Sequence, residues 1–135
     1  MVTATVLIAA LSSARADPPP LAVIGGASVR YVKNIAIESA IQHGWNVAGS
    51  DQTSATFEIK LDEPATPRPV NMPASARTWL RIRLSFADDE DSVIVTAHAE
   101  EIWMVGLAVR RVVTLDRPYR RHLVGMLENL RDRFR

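Results

Sequence analysis

Cysteine is absent from the chain. Its absence excludes disulfides, thiolate catalysis, cysteine-ligated zinc and a lipid anchor on a modified cysteine. Lysine is almost as scarce: Lys33 and Lys60 are the only two, and arginine carries the rest of the positive charge. The formal net charge is only +1, so no global field draws the protein to nucleic acid or to an anionic membrane. There is no apolar run of the roughly 20 residues that a membrane-spanning helix requires. Nucleophile signatures of the G-x-S-x-G and S-x-x-K kind are missing, and so are the full Rossmann and P-loop spacings. What is present is ordinary globular composition: 135 residues, 47% hydrophobic and 23% charged, enough for one core.

The first residues predict export. Val6 to Leu11 is a short apolar core, and Ala14-Arg15-Ala16 fits the small-x-small pattern before signal cleavage, although no basic residue precedes the core. Residues 1–16 are therefore expected to be a signal peptide, 17–27 an extended Pro-rich leader, and 28–135 a single domain. Loss of Arg15 would leave 15 basic residues against 15 acidic ones, a neutral mature chain that is periplasmic or secreted.

Periodicity then predicts the elements. Val29, Val32, Ala36 and Ala40 recur at helical spacing, widened by Ile37 and Ile41, with Ser28 as N-cap. Lys33 falls inside that arc, so its stem must snorkel outward. In "ATFEIKL", Ala55, Phe57, Ile59 and Leu61 alternate with polar residues, as in a half-buried strand. A loop with Pro64, Pro67, Pro69 and Pro73 follows, spanning 63–77, longer than most connections in small domains. "WLRIRLSF" and "VIVTAHAE" form a hairpin about the acidic tip Asp88–Asp91, with Leu80, Ile82, Leu84 and Phe86 inward and Trp79, Arg81 and Arg83 outward. Ile102 to Leu115 reads as a further strand or an irregular bridge. Finally, Asp116 is expected to cap a helix with Pro118 in its first turn and a stripe of Tyr119, Leu123, Met126, Leu127, Leu130 and Phe134.

These elements add up to an α+β domain: helix, three- to four-stranded antiparallel sheet, C-terminal helix, both helices on one sheet face. Gly44-Trp45-Asn46-Val47, the strand "SATFEIKL", the hairpin "WLRIRLSF…SVIVTA" and the terminal "DRPYRRHLVGMLENLRDRF" together resemble a type of small exported bacterial α+β protein of uncharacterised function. In that type a helix ends in Gly-Trp, a meander follows, and a C-terminal amphipathic helix closes the fold. The Pro-rich insert and the apolar segment from Ile102 depart from it. The resemblance implies a fold and an exported location, and no activity.

Little in the sequence converges on chemistry. His43, His98 and His122 have no metal-ligand spacing, and Gly25-Gly26 reads as a turn into the helix rather than a phosphate loop. The tip Asp88, Asp89, Glu90 and Asp91 lacks the rhythm of a calcium loop. No cofactor, metal or catalytic residue is expected. From Arg110 to Arg135, eight arginines face three carboxylates, a net +5. The expected binding residues are Trp79, Arg81 and Arg83 on the outer sheet face, and Arg120, Arg121 and Arg131 on the last helix. They suit a non-enzymatic accessory domain that docks an envelope protein, with no nucleic-acid partner and no membrane span. The alternative is a small-ligand binder with a pocket between helices and sheet under the Pro-rich loop; a hydrolase ranks third.

Overall fold

A computed structural model describes residues 18–135. The expected signal peptide and its cleavage site lie outside the described residues. The elements follow in the order β1 (Leu21–Gly25), α1 (Val29–Gln42), β2 (Asn46–Ser50), β3 (Ser54–Leu61), β4 (Arg77–Asp89), β5 (Ser92–Val105), β6 (Ala108–Thr114) and α2 (Arg120–Asp132). The fold class is α+β with an antiparallel sheet, but the sheet has six strands rather than three or four.

Two segments account for the difference. Leu21–Gly25, expected in the leader, pairs antiparallel with Ser92–Thr96 and buries Ala22 and Ile24. The ambiguous segment from Ile102 is the end of β5, a two-residue turn at Gly106-Leu107, and β6. Gly106 supplies the positive φ (+60°) that a primed hairpin turn requires.

The sheet order is β1-β5-β4-β3-β2, with β6 also on β5. One edge of β5 is thus occupied by β4, and the other is shared end to end by β1 and β6. The gap between those two is closed by local acceptors. Ala97 N donates to the Pro20 carbonyl (3.0 Å), and Ala99 N donates to Asp116 Oδ1 (2.8 Å). Asp116 therefore caps a strand edge rather than a helix. The N-cap of α2 is Tyr119, which makes no side-chain cap hydrogen bond.

Both helices lie on the face that carries Phe57, Leu80, Ile82, Leu84, Val93 and Val95, all fully buried. Val32, Ala36 and Ala40 of α1 and Leu123, Met126, Leu127 and Leu130 of α2 complete that core. Full burial of side chains of this size contributes about 1.5–3 kcal/mol each. Arg133 joins the helices through Glu38 Oε1 (2.9 Å) and Gln42 Oε1 (3.2 Å), beside an edge-on contact of Tyr31 with Phe134. Lys33 does snorkel: its Nζ donates to the Asp51 carbonyl at the β2–β3 turn.

Candidate functional site

Two places on the molecule carry more polar organisation than the fold alone requires. The first is the sheet face opposite the helices. Because side chains alternate and β3, β4, β5 and β6 run in continuous register, three rows cross this face. They read Thr56–Arg83–His98, then Glu58–Arg81–Glu100–Thr114, then Lys60–Trp79–Ile102–Val112. Neighbours within a row have Cβ atoms ~5 Å apart, close enough to interact directly.

The rows differ in how much of their charge is already satisfied. Arg81 donates from Nε (3.1 Å) and Nη2 (2.8 Å) to Glu58 Oε1, and Glu100 stands at its other side. His98 Nδ1 donates to Asp116 Oδ2 (3.0 Å), whose second oxygen holds the Ala99 amide. The His98–Asp116 pair is thus part of the strand-edge closure. Arg83 is exposed, Trp79 is half-buried, and Ile102 between Trp79 and Val112 is fully buried although it faces away from the helices. Leu21 and Val23 of β1 add two exposed aliphatic side chains, 53% and 52% accessible.

The second place lies on the helix face, at the end of the sheet that α2 leaves uncovered. Glu101 follows Val93, Val95, Ala97 and Ala99 at the next inward position of β5, opposite Leu80. Its carboxylate is fully buried and accepts four hydrogen bonds. Oε2 accepts from Ala65 N (2.6 Å), Thr66 N (3.3 Å) and the Tyr119 hydroxyl, and Oε1 accepts from the Thr66 hydroxyl. The Pro-rich loop is therefore clamped to the sheet by one buried anion, with Tyr119 of α2 as third party.

Burial pushes the Glu101 carboxyl up, but the hydrogen bonds from Thr66, Tyr119 and the loop amides outweigh it and hold it below the ordinary carboxylate range. Burial, reinforced by the bond to Glu101, pushes the Tyr119 hydroxyl up to about 12. Each partner thus keeps the other in its working state, ionised acceptor and neutral donor.

Beneath the loop and next to the clamp is a cavity of about 370 Å³. Lys60, Arg68, Arg77 and Asp62 line it together with Trp103 and Thr78. Trp103 is two residues beyond Glu101 on the same face and is 2% exposed. Its indole Nε1–H is buried and has no hydrogen-bond partner among the described residues. An unpaired buried donor of this kind costs about 1–3 kcal/mol.

The expected binding residues divide between the two sides of the molecule. Trp79, Arg81 and Arg83 share the open face of β4, whereas Arg120, Arg121 and Arg131 lie on α2 behind the sheet. Arg120 donates to the Pro18 carbonyl (3.1 Å). The Pro-rich loop is anchored on the helix side, so its anchor does not cover Trp79. The cavity has walls from β3, β4, β5 and the loop, and no helix residue among them. Among the described residues, no three His, Asp or Glu side chains gather as a metal site would need, and no helix is long and apolar enough to cross a membrane.

Fold and sites together define an α+β domain with one helical layer, one open sheet face and a loop-covered cavity at the sheet's end. No protein-family model matches the chain, and no curated protein matches it.

Proposed function

We propose that the chain is a non-enzymatic, exported accessory domain that docks an acidic envelope protein on its open sheet face. The observation that supports this reading is the set of three cross-strand rows, left uncovered because both helices pack on the opposite side. Five strands at ~4.8 Å spacing and thirteen residues of β4 make a face roughly 20 Å by 40 Å. That is close to the ~800 Å² per partner of a standard interface. Trp79 over Ile102 supplies an aromatic anchor, and Arg83 and Lys60 supply basic side chains beside it. Arg81 plays a different part: Glu58 holds it, so it shapes the face rather than seeking an external carboxylate.

The test compares two charge-altering variants in capture from envelope extract of the producing cell. Trp79→Ala with Arg83→Glu removes the anchor and reverses the charge on the sheet face, while Arg121→Glu alters the helix side. A specific partner retained by wild type and by Arg121→Glu, and lost from the sheet-face variant, supports the proposal. Equal retention by all three, or no specific partner, overturns it. Export is checked separately by N-terminal sequencing of the mature chain, which should begin at Asp17.

A further inference from the structure

At the outer edge of β6 the sheet is left open beside charged, exposed residues. β6 pairs with β5 alone, and among the described residues no backbone hydrogen bond reaches its other side. Leu115 N donates to the Ala99 carbonyl (2.9 Å), which makes Ala99 and Leu115 a hydrogen-bonded pair. Such pairs alternate with non-bonded ones along an antiparallel ladder, so Glu101–Val113 and Trp103–Arg111 are the next two. The amides and carbonyls of Val112 and Thr114 therefore point away from β5. The register shift between Trp103 and Met104 lies toward the turn and leaves this stretch regular.

The other two free edges are poorer templates. β1 and β2 have five residues each and carry no charge. β1 follows directly on Pro18-Pro19-Pro20, and β2 is bulged between Val47 and Gly49, two devices that blunt a strand edge. β6 has seven residues, among them Arg110 and Arg111 and no acidic one. Neither arginine has an ion pair or a side-chain hydrogen bond among the described residues. Around them Leu107, Val109 and Val112 are 98%, 52% and 48% accessible, an apolar strip of the kind that marks a contact surface.

We propose that β6 takes an extended acidic segment of a partner protein as a seventh strand of the sheet. This rests on the reading of the partner as acidic, and adds which part of it is held and how. The two faces of β6 define the segment. Val112 stands on the open face in one row with Ile102 and Trp79, whereas Arg111 stands on the helix side opposite Trp103. A strand with apolar side chains at one parity and carboxylates at the other sets the first against Val112 and the second against Arg111. Main-chain hydrogen bonds supply affinity, and the alternate side chains supply selection. A second copy of the chain fits less well. Full overlap of two β6 strands would place Arg111 directly opposite Arg111, and like charges so placed are destabilising.

The experiment measures amide hydrogen exchange in the chain by nuclear magnetic resonance, with and without a synthetic peptide that alternates valine and glutamate. A second peptide has lysine in place of glutamate, and a third is the acidic peptide methylated at every backbone nitrogen. At saturating acidic peptide, exchange at Val112 and Thr114 should slow about tenfold or more, while Arg111 and Val113, already bonded to β5, change least. Arg110→Glu with Arg111→Glu should weaken binding about tenfold or more. Both side chains are exposed, so this variant leaves the core untouched. Val112→Pro removes an amide that β5 does not use, so it should block the added strand while the β5–β6 ladder stands.

Equal binding of the lysine peptide, or binding unaltered in the arginine variant, would overturn the acidic assignment. Equal binding of the methylated peptide would replace strand addition by charge attraction alone. Unchanged exchange at Val112 and Thr114 would remove the site altogether. Slowing at those two amides with rising protein concentration and no peptide would make a second copy the occupant instead. The Trp79→Ala, Arg83→Glu protein should bind the acidic peptide like wild type, because neither residue borders the added strand. Peptide binding without any captured envelope protein would therefore count against the docking proposal alone, and capture without protection at β6 against strand addition alone.

Discussion

At the scale of single residues, Glu101 is the most consequential side chain in the fold. It is a fully buried charge in the inward register of an otherwise apolar strand, and four donors make that position tolerable. Because the native state holds its carboxyl below the ordinary range, the unfolded chain takes up the proton more readily in acid. Stability is therefore present above the ordinary carboxylate range and declines as pH falls through it. Tyr119 works at the opposite end of the scale. Its proton is held up to about 12 against an ordinary 10.0, so the native state loses about 2–3 kcal/mol as pH rises through that interval. Glu101→Gln should flatten the acid decline relative to wild type, and Tyr119→Phe should flatten the alkaline one, each read from denaturation midpoints across pH. In a Tyr31→Phe background, the remaining phenolate absorbance change should centre near 12. A midpoint near 10 there would show that the clamp does not form in solution.

At the scale of elements, the corner "HGW" shows how local rules and tertiary packing share the work. Helix α1 ends at Gln42, His43 Nδ1 donates to the Ser39 carbonyl (2.8 Å), and Gly44 turns the chain with φ +87°. A Cβ at Gly44 would meet nothing within 4 Å, so the whole cost of Gly44→Ala is backbone strain. That substitution should lower stability by about 1–2 kcal/mol with an unchanged denaturant slope, measured by urea unfolding. This corner, both helix stripes and the β3, β4 and β5 alternation were legible in the sequence because each depends on residues near one another in the chain. β1 was not, and β6 was legible only as a further strand or an irregular bridge, since their strand identity depends on a partner 70 residues away or on a short, exposed, arginine-rich pattern. The clamp was hidden for a related reason. The inward positions of β5 run on from Ala99 to Glu101, but a glutamate looks like the end of a strand until Thr66 and Tyr119, distant in sequence, converge on it. Asp116 likewise reads locally as a helix cap, and only the gap between β1 and β6 shows why it faces Ala99 instead. The sheet-face residues Trp79, Arg81 and Arg83 were legible as a row, whereas the pairing that neutralises Arg81 required the β3–β4 register.

At the scale of the whole molecule, the shared edge of β5 decides where the domain begins. The periodic pattern starts at Ser28, yet Pro20 and β1 contribute to the sheet: the Pro20 carbonyl holds Ala97 N, and Ala22 and Ile24 enter the core at 0% and 2% exposure. A chain that starts at Ala27 would lose Ile24, whose burial alone contributes about 1.5–3 kcal/mol. It would also leave the amides of Val93, Val95 and Ala97 without acceptors along an edge flanked by Ile94, an open template for pairing with another copy. The remaining sheet, with β6 still on the other half of β5, should hold together, because domains of this size carry total stabilities of about 5–15 kcal/mol. The expected outcome is a folded but weakened protein. Its urea midpoint should fall by the equivalent of about 3 kcal/mol or more relative to a chain starting at Asp17, and its size-exclusion profile should become concentration-dependent. Ile24→Ala in the longer chain separates the two effects, since it should lower the midpoint while leaving the profile unchanged. Equal midpoints for the chains starting at Asp17 and Ala27 would show that β1 is an ornament of the sheet rather than a part of it.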